Sequence, residues 1–474
     1  MRVYFTNLGC KLNQAEVDHL ARRFVAAGHR LAGALAEADL HVVNSCTVTH
    51  LAARDSRKTA RRGARVRPTM RTVLTGCYAT DALDEAAELA GVDLVVPNPD
   101  KDQLLERVHD AFPELAATAV GDPTGADGPA DDDIVDAVPV PYVPLDVGLA
   151  RALVKVEDGC NMRCAFCIIP STRGRQRSRA RDAVADDVRT LARGGYREIV
   201  ITGVQISEYR DDDGHRLYDL VRHLLDALDD AAVPTRLRLT SIAPWKFDRR
   251  LLALWQHPRL CRHVHMSLQS GATATLRRMR RPYSAPQYAE LAAALREAIP
   301  GLALTTDVIV GFPGEDDAEF ADSLAFVERL AFARPHVFTY SVREGTHAAT
   351  LPDPVPHAVK KARTARMLAV AQRSMARFHA AHVGTALPVL WEQIKRDRWT
   401  GLTDNYLRVR LAPDDPAARS LRPGELRPAQ LVAADETGLD GRLTHAPDAA
   451  ARLGLRPSPP PDVAAVPSIP RASR

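Results

Sequence analysis

Three apolar segments in the first hundred residues each lead into a cysteine, and this repeat constrains the fold more than any other feature of the chain. VYFTNLGC ends at Cys10, LHVVNSC at Cys46 and VLTGC at Cys77. The intervals of 36 and 31 residues between the cysteines are rich in Ala, Leu, Arg and Glu and match the length of a strand–helix–strand unit. The pattern predicts a doubly wound parallel sheet, at whose carboxyl edge the three cysteines converge.

Length and composition indicate several globular domains. The 474 residues suggest about three domains at roughly 150 residues each, and the shares of 46% hydrophobic and 26% charged residues are typical of globular proteins. We predict a first α/β domain over 1–111, a linker rich in Gly, Pro and Asp over 112–145, and a second α/β domain over 146–380. The second domain is expected to form a full or partial barrel, followed by a small β-barrel over 381–447 and a disordered tail over 448–474.

The cysteines and the absence of membrane signals indicate the compartment. The N-terminal MRVYFTNLGCKLNQ lacks the apolar run of a signal peptide, and no stretch of about 18 apolar residues occurs. We therefore expect a cytoplasmic protein with no membrane partner. Seven cysteines in a reducing compartment favour metal binding or catalysis over disulfides.

The segment EDGCNMRCAFC carries the most specific motif. Cys160, Cys164 and Cys167 have the spacing Cys-x3-Cys-x2-Cys directly after a predicted strand. Three thiolates on one loop can bind three irons of a 4Fe-4S cluster and leave the fourth iron open for another ligand. The alternative, a structural zinc site, normally needs a fourth Cys or His, which the neighbouring residues do not supply.

This motif resembles the radical S-adenosylmethionine (SAM) enzymes, in which the open iron binds SAM and the reduced cluster cleaves it to a 5′-deoxyadenosyl radical. The resemblance continues through GGYREIVITGV, RLRLTSIAP, HMSLQSG and TDVIVGFPGE, which follow or flank successive predicted strands. For each of these polar residues alone, a turn glycine or a strand cap is an equally good explanation. As a set, the resemblance implies SAM contacts from Phe166, Gly194, Gly195, Glu198, Ser241, Gln269 and Asp307.

With the N-terminal cysteines and the downstream β domain, the chain up to about residue 447 is similar to the methylthiotransferases. That family carries a second 4Fe-4S cluster on three N-terminal cysteines and a C-terminal RNA-binding barrel, the TRAM domain, whose Gly-x-Thr-x-Asn-Tyr run is similar to GLTDNYLRVRL here. The resemblance implies that Cys10, Cys46 and Cys77 hold this cluster; buried structural cysteine is the alternative. Cys261 fits neither set and is expected to be structural.

The amino-acid sequence around the cysteines is most similar to sequences of the family branch that acts on N6-threonylcarbamoyladenosine (t6A) in tRNA. The supporting segments are NLGCKLNQAEVD, NSCTVTHLAARDSRKTARR, TGCYAT and CIIPSTRGRQRSR. The isopentenyladenosine branch usually has Met after its third N-terminal cysteine, where this chain has Tyr78. The ribosomal-protein branch usually has Pro-Lys after its first, where this chain has Lys11 and Leu12.

Basic residues are clustered although the formal net charge is only +4. One stripe has helical spacing and comprises Arg54, Arg57, Lys58, Arg61, Arg62 and Arg65. Others follow the cluster motif (Arg173, Arg175, Arg177, Arg179, Arg181) or form a third patch (Arg277, Arg278, Arg280, Arg281). A solvated helix face is the usual explanation for such a stripe, but only Asp55 interrupts this one, which also fits a face that contacts RNA phosphates.

Together these features predict a tRNA methylthiotransferase that replaces the carbon 2 hydrogen of t6A, beside the anticodon, with a methylthio group. The resemblance implies two 4Fe-4S clusters, SAM as cofactor, tRNA as partner and a low-potential electron donor such as flavodoxin or ferredoxin. The alternatives are the isopentenyladenosine and ribosomal-protein-aspartate activities. From another class, the alternative is a non-catalytic RNA-binding protein with structural metal sites.

Overall fold

A computed structural model describes residues 1–116 and 150–444, which separate into two compact units. One unit contains 1–116 together with 171–174, and the other contains 150–170 and 175–444. Almost all of the predicted linker over 112–145 and the whole predicted tail over 448–474 lie outside the described residues. No described helix is long and apolar enough to cross a membrane.

The first unit is built on five parallel strands in the order β2-β1-β3-β4-β5. The strands are β1 (Arg2–Asn7), β2 (Arg30–Leu31), β3 (Leu40–Ser45), β4 (Arg71–Gly76) and β5 (Leu94–Val96). The α-helices are α1 (Lys11–Ala26), α2 (His50–Ala60), α3 (Arg62–Val66), α4 (Cys77–Asp81), α5 (Leu83–Ala87), α6 (Leu104–Ala111) and α7 (Pro113–Ala116). Short 3-10 helices span Leu35–Glu37 and Asn98–Gln103.

Both faces of this sheet are covered, as the repeat in the sequence predicts. Every residue of β3 is buried, which is expected for a central parallel strand. Val42 packs in a core with Phe24 of α1, whereas its neighbour Val43 packs in a second core with Ala53 of α2. Because successive side chains of a strand point to opposite faces, helices lie on both sides and the sheet is doubly wound.

The second unit begins with two three-stranded parallel sheets, ordered β10-β9-β6 and β11-β12-β13. The six strands are β6 (Arg151–Lys155), β9 (Glu198–Thr202), β10 (Arg236–Leu239), β11 (His263–His265), β12 (Ala303–Val310) and β13 (Arg334–Thr339). Two short strands between β6 and β9, β7 (Glu157–Asp158) and β8 (Arg177–Ser178), pair with each other in antiparallel fashion. Parallel bridges from Leu237 to Leu260 and from Ile242 to Met266 connect the two sheets. With β6 and β13 as its edges, this is a partial barrel.

The α-helices of residues 150–444 lie between the strands of the partial barrel or after the last of them. They are α8 (Ile169–Arg173), whose residues from 171 onward belong to the first unit, α9 (Arg181–Arg193), α10 (Leu217–Asp230), α11 (Leu251–Leu254), α12 (Thr273–Arg278), α13 (Ala285–Ala298), α14 (Asp317–Leu330) and α15 (His357–Ala380). Short 3-10 helices span Ile206–Glu208, Pro244–Lys246, His347–Thr350 and Pro416–Ser420. The apolar faces of α9, α10, α13 and α14 form one continuous core with the strands.

A closed five-stranded barrel completes the described chain, in the order β14-β15-β16-β18-β17. Its strands are β14 (Ala386–Lys395), β15 (Arg398–Thr403), β16 (Arg408–Leu411), β17 (Leu426–Asp435) and β18 (Gly438–Leu443). Trp391 is fully buried in its core with Val409 and Leu439. The small C-terminal β-barrel predicted from the sequence is confirmed.

Candidate functional site

The three N-terminal cysteines lie together at the carboxyl edge of the first sheet. Cys46 and Cys77 directly follow β3 and β4, and Cys10 follows β1, which is the other neighbour of β3. The Cys10 and Cys46 thiols are each close enough to the other two cysteines of the set to interact electrostatically with them. Gly9 has a φ of +111°, and a Cβ added there would lie 3.0 Å from the Cys46 Sγ, so glycine permits this close approach.

The side-chain amides of two buried asparagines form hydrogen bonds with these thiols. The Cys10 thiol donates a hydrogen bond to Asn13 Oδ1 over 3.6 Å, and Asn98 Nδ2 donates to the Cys77 Sγ over 3.7 Å. Burial raises the pKa of Cys10, and raises that of Cys46 to about 11. Thiolates at such a site need a compensating positive charge, and iron in a sulfide cluster supplies it. The donor set therefore fits a cluster held by three thiolates.

The second cysteine set lies on the loop that follows β6 and β7. The Cys167 amide donates to the Cys164 carbonyl over 3.1 Å, and the Met162 amide donates to the Cys160 Sγ over 3.4 Å. Burial raises the pKa of Cys167 to about 12 and also raises that of Cys160. As at the first set, three closely spaced thiols, here on a partly buried loop, suit an iron cluster.

Arg281 brings a positive charge to this loop. Its Nη1 donates to the Cys164 Sγ over 3.2 Å, and its guanidinium lies 4.6 Å from the centroid of the Trp245 ring. Trp245 stacks in turn on Tyr283, with ring centroids 5.5 Å apart. The sequence placed Arg281 in a patch of surface arginines, whereas the structure gives it a thiol and two rings as neighbours.

Two of the residues expected to contact SAM lie after the carboxyl ends of barrel strands, and a third, Asp307, lies within β12. Ser241 and Gln269 follow β10 and β11 and have φ angles of +30° and +68°, which non-glycine residues rarely adopt. Such strained positions concentrate at binding sites. The Gln269 amide bonds the Asp307 carbonyl over 2.8 Å, which joins two of these residues through the backbone.

Asp307 is an ionised acceptor on β12. Burial raises its pKa, but hydrogen bonds from His265 Nε2 at 3.1 Å and Ser267 Oγ at 3.2 Å outweigh burial, and the pKa lies below the usual range. The carboxylate therefore carries a negative charge inside the partial barrel.

Phe166, another residue expected to contact SAM, lies next to Cys167 on the cluster loop. It packs edge-on against Phe312, with ring centroids 6.5 Å apart.

The expectation that Gly194, Gly195 and Glu198 contact SAM is wrong for this fold. Gly194 and Gly195 end α9, and Glu198 opens β9, so all three lie at the amino end of that strand. Glu198 is fully buried and bonds the guanidinium groups of Arg236 and Arg238 at 2.7 Å. In a barrel the reaction site forms at the carboxyl ends, which are opposite.

The residues that occupy the carboxyl end of β9 are Gly203 and Gln205. A Cβ on Gly203 would lie 2.7 Å from Glu157 Oε2, so glycine allows close packing against that carboxylate. The Gln205 amide donates to the same oxygen over 2.9 Å. Their position directly after the strand EIVIT was the signal in the sequence that could have identified them.

Cys261 and the GLTDNYLRVRL segment belong to the amino end of the partial barrel. Cys261 is buried with its Sγ 4.0 Å from Glu198 Oε2, which agrees with a structural role. Arg238 donates to the carbonyls of Thr403 and Asp404, at 3.0 Å and 2.9 Å, and Tyr406 stacks on His263. This segment therefore attaches the C-terminal barrel to the strands.

Comparison with known proteins decides the family. A sequence profile of the Radical SAM superfamily matches residues 154–327, and a profile described as "Uncharacterized protein family UPF0004" matches residues 2–97. The threonylcarbamoyladenosine tRNA methylthiotransferase MtaB of Bacillus subtilis (strain 168) is 34% identical over 86% of this chain and 89% of its own length. This chain belongs to the radical SAM methylthiotransferase family.

One further relative and one solved structure extend the comparison. The tRNA-2-methylthio-N(6)-dimethylallyladenosine synthase of Sorangium cellulosum (strain So ce56) is also 34% identical, over 97% of both chains. The radical S-adenosylmethionine methyltransferase TsrM from Kitasatospora setae, solved with cobalamin and a [4Fe-4S] cluster, has a TM-score of 0.54 at 17% identity, covering 73% of this chain and 74% of its own, and shares the fold. As a radical SAM methylthiotransferase, the present protein uses SAM and two 4Fe-4S clusters.

The basic stripe of this methylthiotransferase is divided between two helices. Arg54 and Lys58 are exposed on α2, and Arg62 and Arg65 are exposed on α3, with exposed Arg61 between the helices. The predicted single helix is thus interrupted at Arg61. Arg57 is only partly exposed, because it lies 3.6 Å from Glu85 and over the Tyr78 ring.

Arg173 is wrongly predicted to contact RNA. It is 1% exposed, and its guanidinium donates to Glu16 Oε1 and Asn13 Oδ1, both at 2.7 Å. A buried guanidinium bonded to a carboxylate is not available to a phosphate. Arg175 and Arg177, two and four residues later, are exposed, and Arg177 lies 3.8 Å from Asp158.

Proposed function

We propose that this protein is a tRNA methylthiotransferase that converts t6A, next to the anticodon, to its 2-methylthio derivative. The observation that carries the proposal is the 34% identity to the Bacillus subtilis enzyme named for threonylcarbamoyladenosine, over most of both chains. The residues beside the cysteines support the same branch, since Lys11 and Leu12 follow Cys10 and Tyr78 follows Cys77.

We assign the two clusters to the two cysteine sets. Cys160, Cys164 and Cys167 would hold the cluster that binds SAM, and Cys10, Cys46 and Cys77 would hold the cluster that carries sulfur. When bound, the first cluster supplies the electron that cleaves SAM to a 5′-deoxyadenosyl radical. Each site offers three cysteines to a cluster of four irons. One iron of each cluster would therefore have no protein thiolate and could bind another ligand.

The carboxyl ends of the barrel strands would hold SAM. Ser241 and Gln269 follow β10 and β11, and Gly203 and Gln205 follow β9. Asp307 lies on β12, where its carbonyl accepts a hydrogen bond from the Gln269 amide. The ionised Asp307 can accept hydrogen bonds from hydroxyl or ammonium groups of the cofactor.

The exposed cations of α2 and α3 would contact tRNA phosphates. The members of the stripe with exposed side chains are Arg54, Lys58, Arg61, Arg62 and Arg65. The helix α2 starts four residues after Cys46, so these cations are carried by the element adjoining the N-terminal cysteine site. Arg175 and Arg177 would add to the electrostatic attraction. The protein would act in the cytoplasm with a flavodoxin- or ferredoxin-like electron donor.

The test is nucleoside mass spectrometry of tRNA from cells with and without the gene. The proposal predicts that 2-methylthio-t6A disappears from the deletion strain while t6A accumulates, and that the plasmid-borne gene restores it. Purified tRNA carrying either t6A or isopentenyladenosine is then incubated anaerobically with the reconstituted enzyme and SAM. Methylthiolation of t6A alone supports the proposal.

Isopentenyladenosine in tRNA is the second candidate substrate. The Sorangium relative named for dimethylallyladenosine is 34% identical to this chain, the same value as the Bacillus relative named for threonylcarbamoyladenosine. Product from the isopentenyladenosine tRNA alone would replace the first proposal with this one. Product from neither tRNA, by enzyme that cleaves SAM, would contradict both.

A further inference from the structure

A buried ionic network lies beneath the N-terminal cysteines. Glu16 on α1 is 3% exposed and is bonded by two cations, Arg173 Nη1 and Lys101 Nζ, each at 2.7 Å. Both cations are also buried, at 1% and 3% exposure. Lys101 donates further to Asn44 Oδ1 over 3.1 Å, next to the end of β3.

This network is in contact with the cysteine site. Asn13 Oδ1 accepts hydrogen bonds from both the Cys10 thiol, over 3.6 Å, and Arg173 Nη2, over 2.7 Å, so one atom separates the guanidinium from the sulfur. The segment that carries Arg173 is tied down by a second amide: Asn98 donates to the Thr172 carbonyl over 2.8 Å and to the Cys77 Sγ over 3.7 Å.

Both cations are close enough to the cysteines to act on them electrostatically. Arg173 acts on Cys10 and Cys46, and Lys101 acts on Cys77. Glu16, the carboxylate that the two cations share, acts on Cys10 with the opposite sign. Three thiolates binding a 4Fe-4S cluster form an anion beside these cations, because the charges of the thiolates exceed the +2 or +1 of the iron–sulfide core.

We propose that Arg173 and Lys101 are the built-in counterions of the N-terminal cluster and that Glu16 limits their effect. The inference rests on the proposed assignment of this cluster to Cys10, Cys46 and Cys77. The three residues act as positioning residues: they set the charge around the cluster, and with it the reduction potential, without binding the iron. In this proposal Arg173 is buried because its positive charge acts on the cluster, and it does not contact RNA.

The signs of the expected shifts distinguish this role from a structural one. Reduction adds an electron to the cluster, so removing a cation disfavours reduction and removing an anion favours it. Arg173→Gln and Lys101→Gln should each lower the potential of the N-terminal cluster, whereas Glu16→Gln should raise it. We expect at least a tenfold change in the reduction equilibrium, which is about 59 mV for a one-electron couple.

The experiment isolates one cluster in the full chain. Cys160, Cys164 and Cys167 are changed to Ala, the protein is reconstituted anaerobically, and the remaining cluster is titrated with a reductant and followed by electron paramagnetic resonance. Arg173→Lys, which keeps the charge, should recover most of the shift caused by Arg173→Gln. Arg175→Gln is the matched control, because Arg175 is exposed two residues further along and should leave the potential unchanged.

The possible outcomes separate the inference from the cofactor assignment. About four irons per chain in the triple-Ala protein support the assignment; no cluster in that protein, with the fold retained by circular dichroism, overturns the assignment itself. If the cluster forms but Arg173→Gln and Glu16→Gln shift its potential in the same direction, or not at all, the counterion role is wrong while the assignment stands. Should Arg173→Gln fail to fold, Glu16→Gln and Lys101→Gln still give opposite expected signs.

Discussion

Arg281 Nη1 donates a hydrogen bond to the Cys164 Sγ over 3.2 Å, across 117 residues of sequence. The contact brings the loop after α12 to the cysteine loop after β6, and the Trp245 ring holds the guanidinium in place from one side. Hydrogen bonds to cysteine sulfurs are one of the factors that set the potentials of iron–sulfur clusters. Arg281 is therefore the described side chain through which the protein most directly acts on the candidate SAM cluster.

Arg281→Gln is expected to impair the reductive cleavage of SAM. A hydrogen bond to a charged group is worth about 1.5–3 kcal/mol, so the rate of 5′-deoxyadenosine formation should fall by about tenfold or more. The measurement is anaerobic 5′-deoxyadenosine production at equal iron content. Arg277→Gln, at an exposed position of α12, is the control, and equal rates for the two variants would contradict a role for the Cys164 contact.

The two cysteine sets should be separable by iron content and by product. The wild-type chain should hold about eight irons, and Cys77→Ala should lose only the N-terminal cluster of about four irons. That variant should still form 5′-deoxyadenosine but no methylthio product, because sulfur is no longer carried by the first unit. Both products are measured in the same anaerobic reaction.

A purely structural role for the N-terminal cysteines gives a different result. Loss of a folding metal site would unfold the first unit and reduce solubility and all activities together. Full methylthio product from a folded Cys77→Ala protein would exclude the sulfur-carrying role.

The exposed cations of the divided stripe should control the salt dependence of tRNA binding. Lys58, Arg61 and Arg62 are exposed, so changing all three to Glu should weaken binding and reduce the slope of log affinity against log salt by about two, at roughly 0.7–0.9 per phosphate contact. Arg30→Glu, an exposed charge reversal at the amino end of the first sheet, is the control. An unchanged slope in the triple variant would identify the stripe as an ordinary solvated surface.

Glu198→Gln should destabilise the second unit instead of weakening SAM binding specifically. Removing one partner of a buried ion pair costs about 3–5 kcal/mol, and Glu198 bonds two arginines that also donate to the Leu402–Asp404 carbonyls. We expect a lower urea midpoint, with SAM affinity retained by the folded variant. A selective loss of SAM binding at unchanged stability would restore the role expected from the sequence.

The pH dependence of this effect follows from the Glu198 carboxyl group. Burial raises its pKa, but Arg238 and Arg236 outweigh burial, so the pKa in the folded chain lies far below the usual range. A carboxyl whose pKa is lowered by folding contributes stability that is fully present above its unfolded pKa of about 4.3 and declines below it. The difference in unfolding free energy between wild type and Glu198→Gln should therefore narrow as the pH falls below about 4.3.

The sequence by itself determined the six candidate cluster cysteines, the parallel sheet and the small C-terminal barrel. Each depends on local order along the chain: a strand's apolar run, the cysteine that follows it and the length of the intervening helix are adjacent in sequence. The same local rule would have selected Gly203 and Gln205 after β9. Glu198 does not follow this rule, because it is the first residue of β9 and therefore lies at the opposite end of the strand from Gly203.

Only the tertiary structure decided the role of the arginines. Arg173, Arg175 and Arg177 look alike in an alternating run, yet one is buried and two are exposed. The difference is made by Glu16 and Asn13, 157 and 160 residues away, which offer oxygen acceptors to Arg173 in the interior of the first unit. A guanidinium is buried only where such acceptors meet it. Because folding alone brings them together, no pattern within the run could distinguish a counterion from an RNA contact.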